Sequence, residues 1–138
     1  MRLTLLLFLI AAGCSPAGPA LAPLSAEARA DLDPTLAAIY DAHLSGDDPA
    51  GAAPAVLVVG EDVFIEATAM SSGAALAEAL GEVGMTAPSV AGVLVNGRLP
   101  IAAIPEAAGV TELRSIRPVY RPAQSPPDLD VERVGGDH

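Results

Sequence analysis

DVFIEATAMSSGAALAEALGEVGMTAPSVAGVLVNGRLPIAAIPEAAGVTELRSIRPVYR, residues 62–121, reads as strand, helix, strand, strand, short helix, strand. That is the split βαββαβ order. In VFIEATA (63–69) the residues Val63, Ile65, Ala67 and Ala69 alternate onto one face, as in a strand with one side buried. SSGAALAEALGEVG (71–84) puts Leu76, Leu80 and Val83 on one helical stripe. SVAGVLVNGRLP (89–100) supplies an apolar hairpin, IPEAAG (104–109) a short helix, and ELRSIRPVYRP (112–122) a last strand that runs into a proline-rich tail. Nothing in this order is a catalytic signature, so it points to a binding module.

Two turns compete inside the hairpin. Asn96-Gly97 is the strongest two-residue hairpin signal in the chain, but a turn there leaves only Arg98 and Leu99 before Pro100. The turn is therefore expected near Gly92, with Asn96-Gly97 as a bulge or bend in the third strand. Pro105 at a first helical position limits the second helix to about one turn. Upstream, residues 27–45 read as a helix in which Asp33 caps, Pro34 takes the first position and Leu36, Ile39, Tyr40 and His43 face inward. SGDDPAGAAP (45–54) breaks it, and AVLVV (55–59) reads as a strand paired with 63–69.

The wording GVLVNGRLPIAAIPEAAGVTELRSIRPVYRP (92–122), with DLDPTLAAIYDA (31–42) ahead of it, resembles the propeptide-like N-terminal region of bacterial subtilisin-type serine proteases, a family that includes free-standing inhibitors. The resemblance is clearest over residues 56–122. It implies an α+β, ferredoxin-like βαββαβ open-faced sandwich, with a four-stranded antiparallel sheet and two helices on one face. It also implies that the open face packs on a protease. Val63 and Ile65 face the helices, so Phe64 and Glu66 point to that open face, with Arg98 near them. A competing placement buries Phe64 under the helix 31–44. In the family the segment after the last strand lies in the protease's substrate groove as an added strand, which here is Tyr120-Arg121-Pro122-Ala123-Gln124. Pro122, which lacks a backbone donor, and Pro126-Pro127 depart from an ideal groove strand. Arg114, Arg117 and Arg121 around Ile116 and Tyr120 read either as solvated charges or as an interface rim.

At the N-terminus, Arg2, the apolar run LTLLLFLI and the small residues Ala11, Ala12 and Gly13 precede Cys14, the chain's one cysteine. The run is too short to span a hydrocarbon layer that takes about 20 helical residues. Residues 1–13 are expected to be a lipoprotein signal peptide and Cys14 its lipidation site. An ordinary secretory signal cut near SPAGPALA is the alternative, and the chain is exported in both. Ser15, with no aspartate after the cysteine, predicts the outer membrane in a Gram-negative host, facing the periplasm or the exterior. Residues 14–26 then form a Pro/Ala linker, 27–54 a helix and loop, 55–122 the propeptide-like domain and 123–138 an acidic, extended or disordered tail.

The net charge is −10, from 17 acidic residues and seven basic ones, all arginine. A chain this acidic lacks the basic face that phosphate neutralisation needs, so no nucleic-acid partner is expected. With one cysteine there is no internal disulfide, and with few aromatics the core must be Val, Leu, Ile and Ala. A fold of this size is expected to be marginal.

The search for chemistry returns no site. There is no His/Cys cluster at metal-ligand spacing, and His43 and His138 stand apart. Asp128, Asp130 and Glu132 alternate like the opening of a calcium loop, but Arg133 stands where such a loop has glycine. No cofactor and no enzymatic activity are expected. The expected function is a lipid-anchored module that binds a subtilisin-type protease as inhibitor or folding assistant. The competing expectations are a truncated N-terminal part of a longer surface protease, with VERVGGDH (131–138) as the start of a linker, or a structural envelope lipoprotein.

Overall fold

A computed structural model describes residues 21–123. The expected signal peptide, Cys14 and the tail from residue 124 onward lie outside the described residues. Within them the chain is α+β, with an antiparallel sheet of five strands and several helices. Helices α1 (Ala26–Asp31), α2 (Pro34–Ser45) and α3 (Pro49–Ala52) come first. Then follow β1 (Val58–Val59), β2 (Asp62–Ala69), α4 (Gly73–Glu82), β3 (Thr86–Ala91), β4 (Leu94–Pro100), a 3₁₀ turn Ile101–Ala103, α5 (Ile104–Ala108) and β5 (Leu113–Pro118).

β2 is the centre of the sheet. One of its edges pairs with β4, which pairs in turn with β3. The other edge is shared end to end: β1 lies opposite Asp62 and Val63, and β5 lies opposite Ile65 to Ala69. Past β5 the chain pairs with the segment ahead of β1. Leu57 N–H donates to the Val119 carbonyl (2.9 Å), and Arg121 N–H donates to the Ala55 carbonyl (2.7 Å).

The core is one cluster in which the inward residues of β2 (Val63, Ile65, Ala67, Ala69) meet Leu36, Ile39 and Tyr40 of α2, Leu76 and Leu80 of α4, and Ile104 and Ala107 of α5. The stripe read from 71–84 is therefore correct at Leu76 and Leu80, with Val83 partly buried at its end. No polar or charged residue is buried among the described residues. Tyr40 is the one aromatic in the core, and its hydroxyl donates to the Ala22 carbonyl at 2.6 Å. That bond and the burial of Leu24 hold residues 21–25, inside the expected linker, against the domain.

Two local expectations need correction. The helix expected over 27–45 is two helices, because the residue before a proline avoids the helical region: Leu32 and Asp33 are extended, and the Asp33 carboxylate then accepts from Thr35 N–H to start α2. The hairpin does turn at Gly92 (φ 62°), as expected. The bulge lies in β3 and not at Asn96-Gly97: Ala87 and Pro88 together oppose Gly97, between the pairs Thr86↔Arg98 and Ser89↔Asn96. Glycine is favoured at Gly97 for a packing reason, since a Cβ would come 2.8 Å from the Met85 sulfur and 3.1 Å from the Thr86 carbonyl oxygen.

Candidate functional site

Alternation along the paired strands fixes which side chains share the face opposite the core. Register then sorts them into rows. Arg98 of β4 lies opposite Phe64 of β2; Asn96 lies opposite Glu66, which lies opposite Arg117 of β5; Leu94 lies opposite Thr68, which lies opposite Ser115. Beyond Arg117 the same side continues at alternate residues with Val119 and Arg121. No helix residue belongs to this face, and Phe64 is not among the core residues. The placement of Phe64 under the helix 31–44 is thereby overturned, because α2 spends its apolar side on the other face of the sheet.

The face is knit by charge. The Arg98 guanidinium sits 5.8 Å from the centre of the Phe64 ring and donates to Asp62 at 2.7 Å. Its Nε is covered and has no hydrogen-bond partner among the described residues. Arg117 pairs with Glu66, its Nε donating at 2.8 Å. Exposed pairs of this kind contribute about 0 to 1 kcal/mol each, and an exposed cation–π contact about 0.5 to 1 kcal/mol. They order the side chains more than they stabilise the fold. A shallow cleft of about 310 Å³ opens beside them, lined by Glu66, Arg117, Pro118, Val119 and Tyr120.

The chain matches no known protein-family model, no curated protein and no solved structure. What the site can do therefore rests on its own residues. Among the described residues no group of three or more His, Cys, Asp or Glu could hold a metal ion, and no helix is long and apolar enough to cross a membrane.

The structure brings together Phe64, Glu66, Arg98, Arg117 and Arg121 from the sequence reading and adds Asp62 and Asn96 as their direct neighbours. It turns Tyr120 away from them. Tyr120 is the bridge partner of fully buried Val56, so its side chain leaves on the core side, and its hydroxyl lies 3.4 Å from the Thr35 hydroxyl of α2. The expected groove strand is also partly spent. Val119 C=O and Arg121 N–H are bonded to residues 55–57, and Arg121 Nε donates to the Val56 carbonyl at 3.3 Å. In an antiparallel pair of this pattern only the intervening Tyr120 N–H and C=O point outward. Pro122 is exposed and follows the last of these bonds. Asp62 and Asn96 were missed because their meaning depends on register, and the usable signal was the Gly92 turn, from which the pairing of β4 can be counted.

A second concavity, about 510 Å³, lies between residues 21–25, Tyr40 of α2 and Ala102, Pro105 and Glu106 at α5. It is mostly apolar and offers one charged group, so it arranges no reactive pair.

Proposed function

We propose that this chain is a non-enzymatic protein-binding module, exported and lipid-anchored at Cys14, whose uncovered sheet face docks on a protein partner. The most concrete partner is a subtilisin-type serine protease, toward which the module acts as inhibitor or folding assistant. In this reading the domain is a ferredoxin-like open-faced sandwich with an added N-terminal strand and helices. The strand sequence β5-β2-β4-β3 supports this, as does the gathering of helix side chains into one cluster. The observation that carries the functional reading is the face itself: an aromatic, Phe64, held between an arginine and its neighbours on a sheet side that no helix covers. Arginine and aromatic side chains are the residue types that anchor protein interfaces.

Docking by the face is better supported than docking by the following segment, whose inner edge is already bonded to residues 55–57. The test is inhibition of a subtilisin-type protease from the same cell by the purified, detergent-solubilised chain. Phe64→Ala weakens binding by about 1 to 3 kcal/mol, a factor of about 5 to 150, while the domain still folds because Phe64 lies outside the core. Rapid digestion of the chain at stoichiometric protease, with no transient inhibition, removes the protease from the reading. The structural envelope lipoprotein then stands in its place.

A further inference from the structure

We propose that the arginine-bearing sheet face is occupied within the same molecule by the segment Asp128-Leu129-Asp130-Val131-Glu132, which a protein partner would have to displace. The inference needs no partner and stands apart from the identity of one. It begins from the distribution of charge. Of the arginines in the described residues, Arg29 lies on α1 and is engaged with Asp41 at 2.9 Å. Arg98, Arg117 and Arg121 share the open face, and Arg114 stands exposed where β5 shifts register beside it. Only Asp62 and Glu66 oppose them from the same strands, and among the described residues Arg114 and Arg121 form no ion pair.

The rest of the surface is acidic. Asp31, Asp47, Asp48, Glu78, Glu82 and Glu106 are all exposed on the helices and loops. A segment carrying further acids is repelled from that surface and attracted to the arginine side alone. Residues 128–132 are such a segment, with Asp128, Asp130 and Glu132 at alternate positions. In an extended chain these three carboxylates fall on one side and span about 13 Å. Arg98 and Arg117 are two strands and two residues apart, about 12 Å.

Reach is sufficient. The described chain leaves the sheet at Arg121 on this same face and runs through Ala123. Asp128 and Glu132 come five and nine residues later, spans of up to about 17 and 30 Å. The ion pairs of Arg98 and Arg117 do not close the site, because these guanidinium groups keep 40% and 68% of their side-chain surface exposed and can accept a second carboxylate.

The absence of lysine in the sequence supplies the test. In the full chain carrying Arg117→Lys, the introduced group is the sole side-chain amine, and a carbodiimide joins it to whichever carboxylate touches it. An adduct with Glu66 is the internal standard for a folded face. The expected result is a second adduct, with Asp128, Asp130 or Glu132, in monomeric product and independent of protein concentration. It should fade between about 0.01 and 1 M salt, as the screening length falls from about 30 to about 3 Å. Arg98→Lys should give the same tail adduct, and Asp128→Asn combined with Asp130→Asn and Glu132→Gln should abolish it. Adducts with Glu66 or Asp62 alone, or tail adducts found only between two molecules, overturn the proposal.

Discussion

Gly73 opens α4 where the helix start meets the β3–β4 turn, and an added Cβ there would lie 2.4 Å from the Gly92 carbonyl oxygen and 2.9 Å from Val90 Cγ1. Ordinary carbon–oxygen contacts begin at about 3.3 Å, so Gly73→Ala forces the helix and the turn apart by about 0.9 Å. The neighbour is backbone and cannot rotate away. Overpacking costs about 1 to 3 kcal/mol, and the better helix propensity of alanine returns up to about 1 kcal/mol. The net expectation is a loss of about 1 to 2 kcal/mol, or about 4 to 16 °C in Tm for a domain of this size. Gly81 is the control. It belongs to the same helix, and a Cβ there meets nothing within 4 Å, so Gly81→Ala should stabilise by about 0.5 to 1 kcal/mol. Urea melts of the two variants should move in opposite directions at constant m value. If Gly73→Ala melts with or above the parent, the close approach of α4 to the turn is wrong.

Leu80, fully buried from α4, is expected to cost about 2 to 5 kcal/mol as Leu80→Ala, a large part of a total of about 5 to 15; a cooperative melt within a few degrees of the parent would remove it from the core. Arg29 grips Asp41 through two 2.9 Å hydrogen bonds, and this pairing holds the Asp41 carboxyl below the ordinary aspartate value. A depressed carboxylate lends its stability above the unfolded value, about pH 4, and loses it as pH falls through the lower folded value. Amide protection factors in α1 should therefore fall on acidification below about pH 4 and lose that dependence in Asp41→Asn. Cys14→Ser should leave the precursor uncut or move the protein out of the membrane fraction; unchanged processing and fractionation would reject lipidation.

What could be read from the sequence was what is encoded within one element. β2 and α4 carry clean periods of two and 3.6, and their inward residues are those expected, Val63 and Ile65 with Leu76 and Leu80. The Gly92 turn was legible because strand length ruled out its rival. β3 was legible only from Ser89 onward: it runs from Thr86, but as a fully exposed edge strand it has no buried side to pattern. The side taken by Tyr120 was hidden for a different reason. It follows from the pairing of residues 55–57 with 119–121, across more than sixty positions, and no local pattern announces it. The Arg117–Glu66 and Arg98–Asp62 pairs were likewise invisible until β5 and β4 had a register against β2.

The treatment of the sheet's edges bears on how such a module can bind. An exposed edge invites strand addition unless it is blunted. β3 forms one edge and carries Pro88, which donates nothing, next to Ala87 at φ 51°, inside a bulge that interrupts the ladder. The opposite edge is formed by the two-residue β1 and by β5, which pairs with β2 alone and carries Pro118, a residue without a donor, ahead of Pro122. The β3 edge is therefore blunted, whereas the outer side of β5 pairs with no other strand among the described residues. The face between them presents Phe64, Asn96 and four charged side chains already held in register. Strand addition at β3 is thus disfavoured, and the face offers ordered side chains in its place. A partner that docks on this face should accordingly be weakened by Arg98→Ala and by Arg117→Ala, whereas one that adds a strand to β5 through its backbone should be indifferent to both.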